Sequence, residues 1–283
     1  MLDKRPAPVA LEEERRFQQT LLAARGGGGP WPPLPATAWE VASLAKRFKA
    51  DRRPVKTLLG REASEQALYD LAVSDKLSEF GFIHLATHGR IDVEHPRRSA
   101  VIVSEVNLPD PLEQVTNHLP PFDGRLSVEE IVSNWKLNAD LVTPSACETA
   151  LGKRAGGEGM VGFTQALLMV GADALCLSLW PVDDVATALI MDRFYANLLG
   201  QREGLEAPLS KVAALAEAQA WLRELTSEEA TARTAQLTNG VPRGAGRQGK
   251  IVDAPKPPKT APRSRPFAHP YYWSAFVLVG KRE

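Results

Sequence analysis

Cysteine is scarce in this chain. Its 283 residues hold two, Cys147 and Cys176, too few for a disulfide framework or a zinc knuckle. Long apolar runs are missing as well. None approaches the ~20 residues that cross a bilayer, and the opening Met1-Leu-Asp-Lys-Arg-Pro6 has no apolar signal-peptide core. An excess of either charge is also lacking. Lys and Arg together number 34, as do Asp and Glu, so the whole chain exerts no electrostatic pull on nucleic acid. Together these absences predict a soluble, cytoplasmic protein with reduced thiols, away from membranes. Its length is enough for a large core.

What is present is a regular alternation. Apolar runs at Val55–Leu59, Phe82–Ala86, Ser99–Val103, 139–145, Ala174–Trp180 and Trp273–Val279 read as buried strands. Between them lie helical patterns. Trp39, Val41, Leu44 and Phe48 are spaced for an amphipathic helix. Ser64 is placed to cap a helix carrying Leu68 and Leu71. Ser127-Val-Glu-Glu130 is a capping box. Glu158–Val170 ends at Gly171, and two more helices cover Val185–Leu199 and Ser210–Leu225. Pro109–Pro121 reads as a loop. Strands alternating with helices predict an α/β fold: a mostly parallel sheet with helices on both faces, an α/β/α sandwich.

Two stretches break the pattern. Residues 1–33 read as a leader helix, Leu11 to Ala24, followed by a Gly/Pro linker; the domain then spans 34–283. Residues 240–268 are basic and Pro-rich, with no aromatic residue from 240 to 266. Such a run reads as a flexible insertion rather than a nucleic-acid surface.

The chemistry gathers at one predicted sheet edge. Leu141-Val142 leads into Ser145-Ala146-Cys147, and Gly152–Gly162 follows. This is a strand delivering a thiol to the carboxyl edge, where open α/β sheets bind ligands; the plain alternative is a buried structural cysteine. His88, in Thr87-His88-Gly89, follows Phe82–Ala86 in the same way. Neighbouring strands lie about 5 Å apart, so His88 and Cys147 can serve as base and nucleophile. The N–H groups of Gly89 and Cys147 can hold an oxyanion. His84 reads as a core or supporting histidine. His84 and His88 are four apart, as zinc ligands on a helix would be, but they lie on a strand and lack the accompanying Glu, so no metal site is read here. Cys176 looks buried and inert. Asp183-Asp184 follows a strand and precedes a helix; the pair offers an N-cap, a pocket for a basic group, or both.

Five motifs in order carry a resemblance: His84-Leu-Ala-Thr-His88-Gly89, Ser145-Ala-Cys147-Glu-Thr149, Gly157-Glu-Gly-Met-Val-Gly162, Ser178-Leu-Trp-Pro-Val-Asp-Asp184 and His269-Pro-Tyr-Tyr-Trp-Ser-Ala-Phe276. From about Leu34 to Gly280 the chain resembles the CHAT family of caspase-like cysteine peptidases, relatives of separase. The resemblance implies a caspase-like three-layer α/β/α sandwich and a His–Cys dyad on His88 and Cys147. It implies endopeptidase cleavage of a protein or peptide substrate after Arg or Lys, with Asp183 or Asp184 beside the basic side chain, and regulation by a protein partner. No cofactor is called for. A silent caspase-like interaction module is the alternative, and an esterase or acyltransferase built on the same dyad is a third.

Overall fold

In the computed structural model the described residues are 31, 34–90, 92, 95–106, 108–116, 118–120, 122–145, 158–180, 182–238, 264–281 and 283. The leader helix expected over 11–24 and most of the 240–268 stretch fall outside them, as do Cys147 and residues 152–157 of the Gly-rich segment after it.

Helix α1 (Pro35–Ala50) opens the fold. Its start is pinned by Leu34, whose carbonyl accepts from the Thr37 N–H and hydroxyl. Ala36, Glu40 and Leu44 form its buried line, one residue per turn as the 3.6-residue repeat requires. Helix α2 (Glu65–Val73) follows, with Ser64 capping Ala67 N–H at 3.2 Å. Strand β1 (Phe82–Leu85) leads into β2 (His88–Arg90) and β3 (Ala100–Ile102). Helix α3 (Pro111–Thr116), β4 (Arg125–Ser127), α4 (Val128–Asn134) and β5 (Leu141–Pro144) come next. Then follow α5 (Glu158–Met169), β6 (Ala174–Ser178), α6 (Asp184–Leu198), α7 (Lys211–Glu224), α8 (Ser227–Thr238), α9 (Pro270–Trp273) and β7 (Phe276–Gly280).

The main sheet runs β1-β5-β6-β7. β1, β5 and β6 are parallel, and β7 is antiparallel to β6. Its central strands β5 and β6 are buried on both faces, with alternate residues feeding opposite layers, while β1 and β7 are mostly half-buried. Leu141, Ala174 and Cys176 pack with Leu44, Ile190, Phe194, Tyr195 and Leu222 from α1, α6 and α7. Val142, Leu175 and Leu177 pack with Ile131, Trp135, Phe163 and Leu167 from the α4 and α5 side. This is the three-layer α/β/α arrangement that the alternating pattern predicts.

Gly171 joins α5 to β6, and only glycine fits there. Its φ is +111°, and a Cβ would stand 2.1 Å from the Leu137 carbonyl oxygen. The capping box at Ser127 and Glu130 forms as read.

Four expectations differ from the structure. Val55–Leu59 is not a ladder strand: it borders a cavity of about 400 Å³ along the outer edge of β1, and a strand without a ladder partner has no main-chain bonds to hold it. Ser99–Val103 does supply β3, but in a separate antiparallel sheet, β2-β3-β4. The Pro109–Pro121 loop contains α3, started by Asp110, whose carboxylate accepts from Leu112 N–H at 2.7 Å. Trp273–Val279 splits into the end of α9 and the antiparallel β7. Helix α8 was not foreseen. Thr226 and Glu229 cap each other's N–H groups at its start, the same device as at Ser127.

Candidate active site

Strands β1, β5 and β6 point the same way, so the segments after them emerge at one carboxyl edge. His88 follows β1, Ser145 follows β5, and the Asp pair follows β6. β1 and β5 are direct neighbours, with His84 opposite Thr143 and Leu85 opposite Pro144. The strand that precedes His88 and the strand that leads to Cys147 are thus adjacent, as the sequence predicts. Cys147 itself lies outside the described residues. Ser145, two residues before it, is buried, and its hydroxyl has no hydrogen-bond partner among the described residues.

His88 is not at the tip of β1 but starts β2, the outer strand of the small sheet, and is 7% exposed. That sheet fixes the direction of the main chain on both sides of it. Val103 N–H donates to Gly124 O at 2.9 Å and Val128 N–H to Ser99 O at 2.8 Å. Main-chain groups alternate sides along a strand. Those of Val101 therefore face β4, and those of Ala100 and Ile102 face β2. Their partners Arg90 and His88 spend their main-chain groups on the ladder. Gly89, between them, directs its N–H away from β3, to the side of β2 that has no ladder partner among the described residues. That is the orientation an oxyanion donor needs. The Thr87 hydroxyl donates to Ile102 O, tying down the residue before His88.

His84 contacts two other side chains. Its Nε2 lies 2.7 Å from Glu40 Oε1 and its Nδ1 3.4 Å from the Tyr195 hydroxyl. That hydroxyl lies 2.9 Å from Thr143 Oγ1. Glu40, His84, Tyr195 and Thr143 thus join α1, β1, α6 and β5 in one buried chain of polar contacts. Burial pushes the Tyr195 phenol above its ordinary range, so it stays a neutral hydroxyl in this chain. Burial likewise pushes the Cys176 thiol up to about 12, so it stays a thiol at neutral pH and is unreactive, as the sequence suggests. Among the described residues, no group of three or more His, Cys, Asp and Glu is arranged to hold a metal ion, and no helix is long and apolar enough to cross a membrane.

The Asp pair divides. Asp183 is the N-cap of α6, its carboxylate accepting from Ala186 N–H at 2.9 Å. Asp184 is the first helical residue. The loop before them is braced by Trp180, whose Nε1 donates to Tyr271 O at 2.9 Å.

Sequence reasoning missed two residues. Glu40 is 2% exposed; the signal was its place one turn before Leu44 on the buried line of α1. Trp31 lies against the imidazole of His88, with ring centroids 5.1 Å apart. No spacing rule links it to a residue 57 positions away, and in sequence it reads as part of the Gly/Pro linker.

A mostly parallel sheet covered on both faces, with a His-Gly step after one strand and a neighbouring strand aimed at a cysteine, defines a caspase-like α/β protein. The chain belongs to the CHAT domain family: the family model matches residues 5–281. It is also similar to proteins called tetratricopeptide repeat protein 28. The mouse protein is 27% identical over 161 residues, and the human protein 26% identical over 161. The matched region is 57% of this chain but 5% of each relative's length.

Proposed function

We propose that this chain is a cysteine endopeptidase with His88 and Cys147 as its dyad. The observation that carries the reading is the His88-Gly89 step: a buried imidazole followed by a main-chain N–H left over by its own ladder, beside the strand that leads to Cys147. His88 takes the thiol proton, and the Cys147 thiolate attacks the scissile carbonyl carbon. The N–H groups of Gly89 and Cys147 hold the resulting oxyanion. Collapse of this intermediate breaks the C–N bond, and the amine leaves with the proton from His88. A thioester to Cys147 remains. Water, giving a proton to His88, attacks the thioester and releases the acid and the thiol.

Cleavage falls after Arg or Lys. Asp183 caps α6, and Asp184, one residue on at the start of that helix, is assigned to the basic side chain. Charge-assisted bonds to a guanidinium contribute about 1.5–3 kcal/mol each, and a neutral side chain there forgoes them. The test is a peptide library with the residue before the scissile bond varied, digested by the purified chain and by its His88→Ala and Cys147→Ala variants. The reading predicts products ending in Arg or Lys from the parent and none from either variant. Equal cleavage by Cys147→Ala would overturn it.

The relatives named for tetratricopeptide repeats favour a second reading: an interaction module that works through a protein partner with its dyad silent. A folded chain that cleaves nothing alone, and nothing when a partner is supplied, would support it.

A further inference from the structure

The indole of Trp31 packs on the imidazole of His88 with ring centroids 5.1 Å apart and planes 30° from parallel. Both rings border the cavity of about 400 Å³ beside β1. Trp31 stands three residues before Leu34, which anchors α1 through Thr37. His88 pairs with Ile102 in the small sheet.

We infer that Trp31 is a positioning residue for His88: its ring face sets the plane of the imidazole and favours the imidazolium over the neutral ring. The inference rests on the dyad reading above and deepens it. The face of an indole carries negative charge density and attracts a cation, more strongly than the faces of the other aromatic side chains. A cysteine paired with histidine reacts as thiolate and imidazolium. A group that favours the imidazolium therefore favours the reactive thiolate.

Two other ionisable groups among the described residues border the same cavity, Lys56 and His84. Lys56 is exposed, and solvent screens its charge. His84 is engaged by Glu40 at 2.7 Å. β3 presents Val101 and Ile102 to the cavity, which carry no charge.

The experiment follows the titration of His88 by NMR in the full chain with 13C-labelled histidine and Cys147→Ala, which removes the thiol from the equilibrium. The His88 signal is assigned by its loss in His88→Ala. Trp31→Leu is expected to lower the midpoint by roughly 0.4–1.5 pH units, and Trp31→Phe by less. If Trp31→Leu does not fold, mono- and difluorotryptophan incorporated into the chain weaken the ring face without changing its shape, and the midpoint must fall with each fluorine. In the chain with Cys147, the alkaline limb of kcat/KM must move down in step. A midpoint unchanged by Leu, or by fluorination, overturns the inference. The titration needs no cleavage, so it separates the two claims. A shift without proteolysis sinks the peptidase reading, and proteolysis without a shift sinks the role of Trp31.

Discussion

Glu65 should make this protein lose stability as pH rises through neutrality. It begins α2 and is 2% exposed. Its Oε2 accepts from the N–H groups of Asp123 and Gly124 at 2.9 and 2.8 Å, in the turn that leads into β4. Its Oε1 has no hydrogen-bond partner among the described residues. Burial, and next the adjacent Glu130 carboxyl, push its pKa from 4.5 to about 8. The folded state therefore holds a proton that the unfolded state has released between those values. Stability is highest near the lower value and falls as pH rises toward the upper one, by about 1.4 kcal/mol per unit. From pH 5.5 to 7.5 the loss is about 3 kcal/mol, a large part of the ~5–15 kcal/mol of an ordinary domain. Glu65→Gln keeps an oxygen for the two N–H groups and cannot ionise. Urea unfolding at pH 5.5, 6.5 and 7.5 should show the downward slope in the parent and its removal in the variant, which gains most at pH 7.5. Parallel pH dependence in the two proteins would refute the reasoning.

Other outcomes follow from single contacts. Asp184→Asn should abolish the preference for Arg and Lys in library profiling. Asp183→Asn should leave that preference and change the melting temperature little, because Asn caps a helix almost as well. Gly171→Ala should cost at least about 1–3 kcal/mol in urea unfolding, since a Cβ there meets Leu137 O at positive φ. Cys176→Ala should retain cleavage and lose about 1 kcal/mol of packing. Deleting residues 243–262, which keeps Ser264 on Ser227 and Phe267 in the core, should leave the melting temperature nearly unchanged.

The layers were legible because period-two and period-3.6 patterns report burial directly. Leu141 and Val142 feed opposite cores, and an uninterrupted apolar run is what such a strand needs. The capping boxes are equally readable: Ser127 and Glu130 mark the start of α4, and Thr226 and Glu229 carry the same signal for α8. The His-Gly step was found from its place after a strand. That Gly89 faces outward was not, because the phase of a ladder depends on how β3 pairs with β4, far along the chain. The partners of His84 and His88 were hidden for a similar reason. Glu40 and Trp31 reach them through packing between layers, and no local pattern records such contacts. Which Asp caps α6 was undecidable because both residue types and both positions suit a cap; the carboxylate's bond to Ala186 N–H settles that part.

The central claim is that Cys147, and not Cys176, is a nucleophile activated by His88. A peptide ending in an arginyl acyloxymethyl ketone, incubated with the purified chain and mapped by tandem mass spectrometry, tests it directly. The account predicts one adduct per chain, on Cys147, with none on Cys176 and labelling of Cys147 strongly slowed in His88→Ala. Labelling on Cys176, or labelling of Cys147 at the same rate without His88, would contradict it.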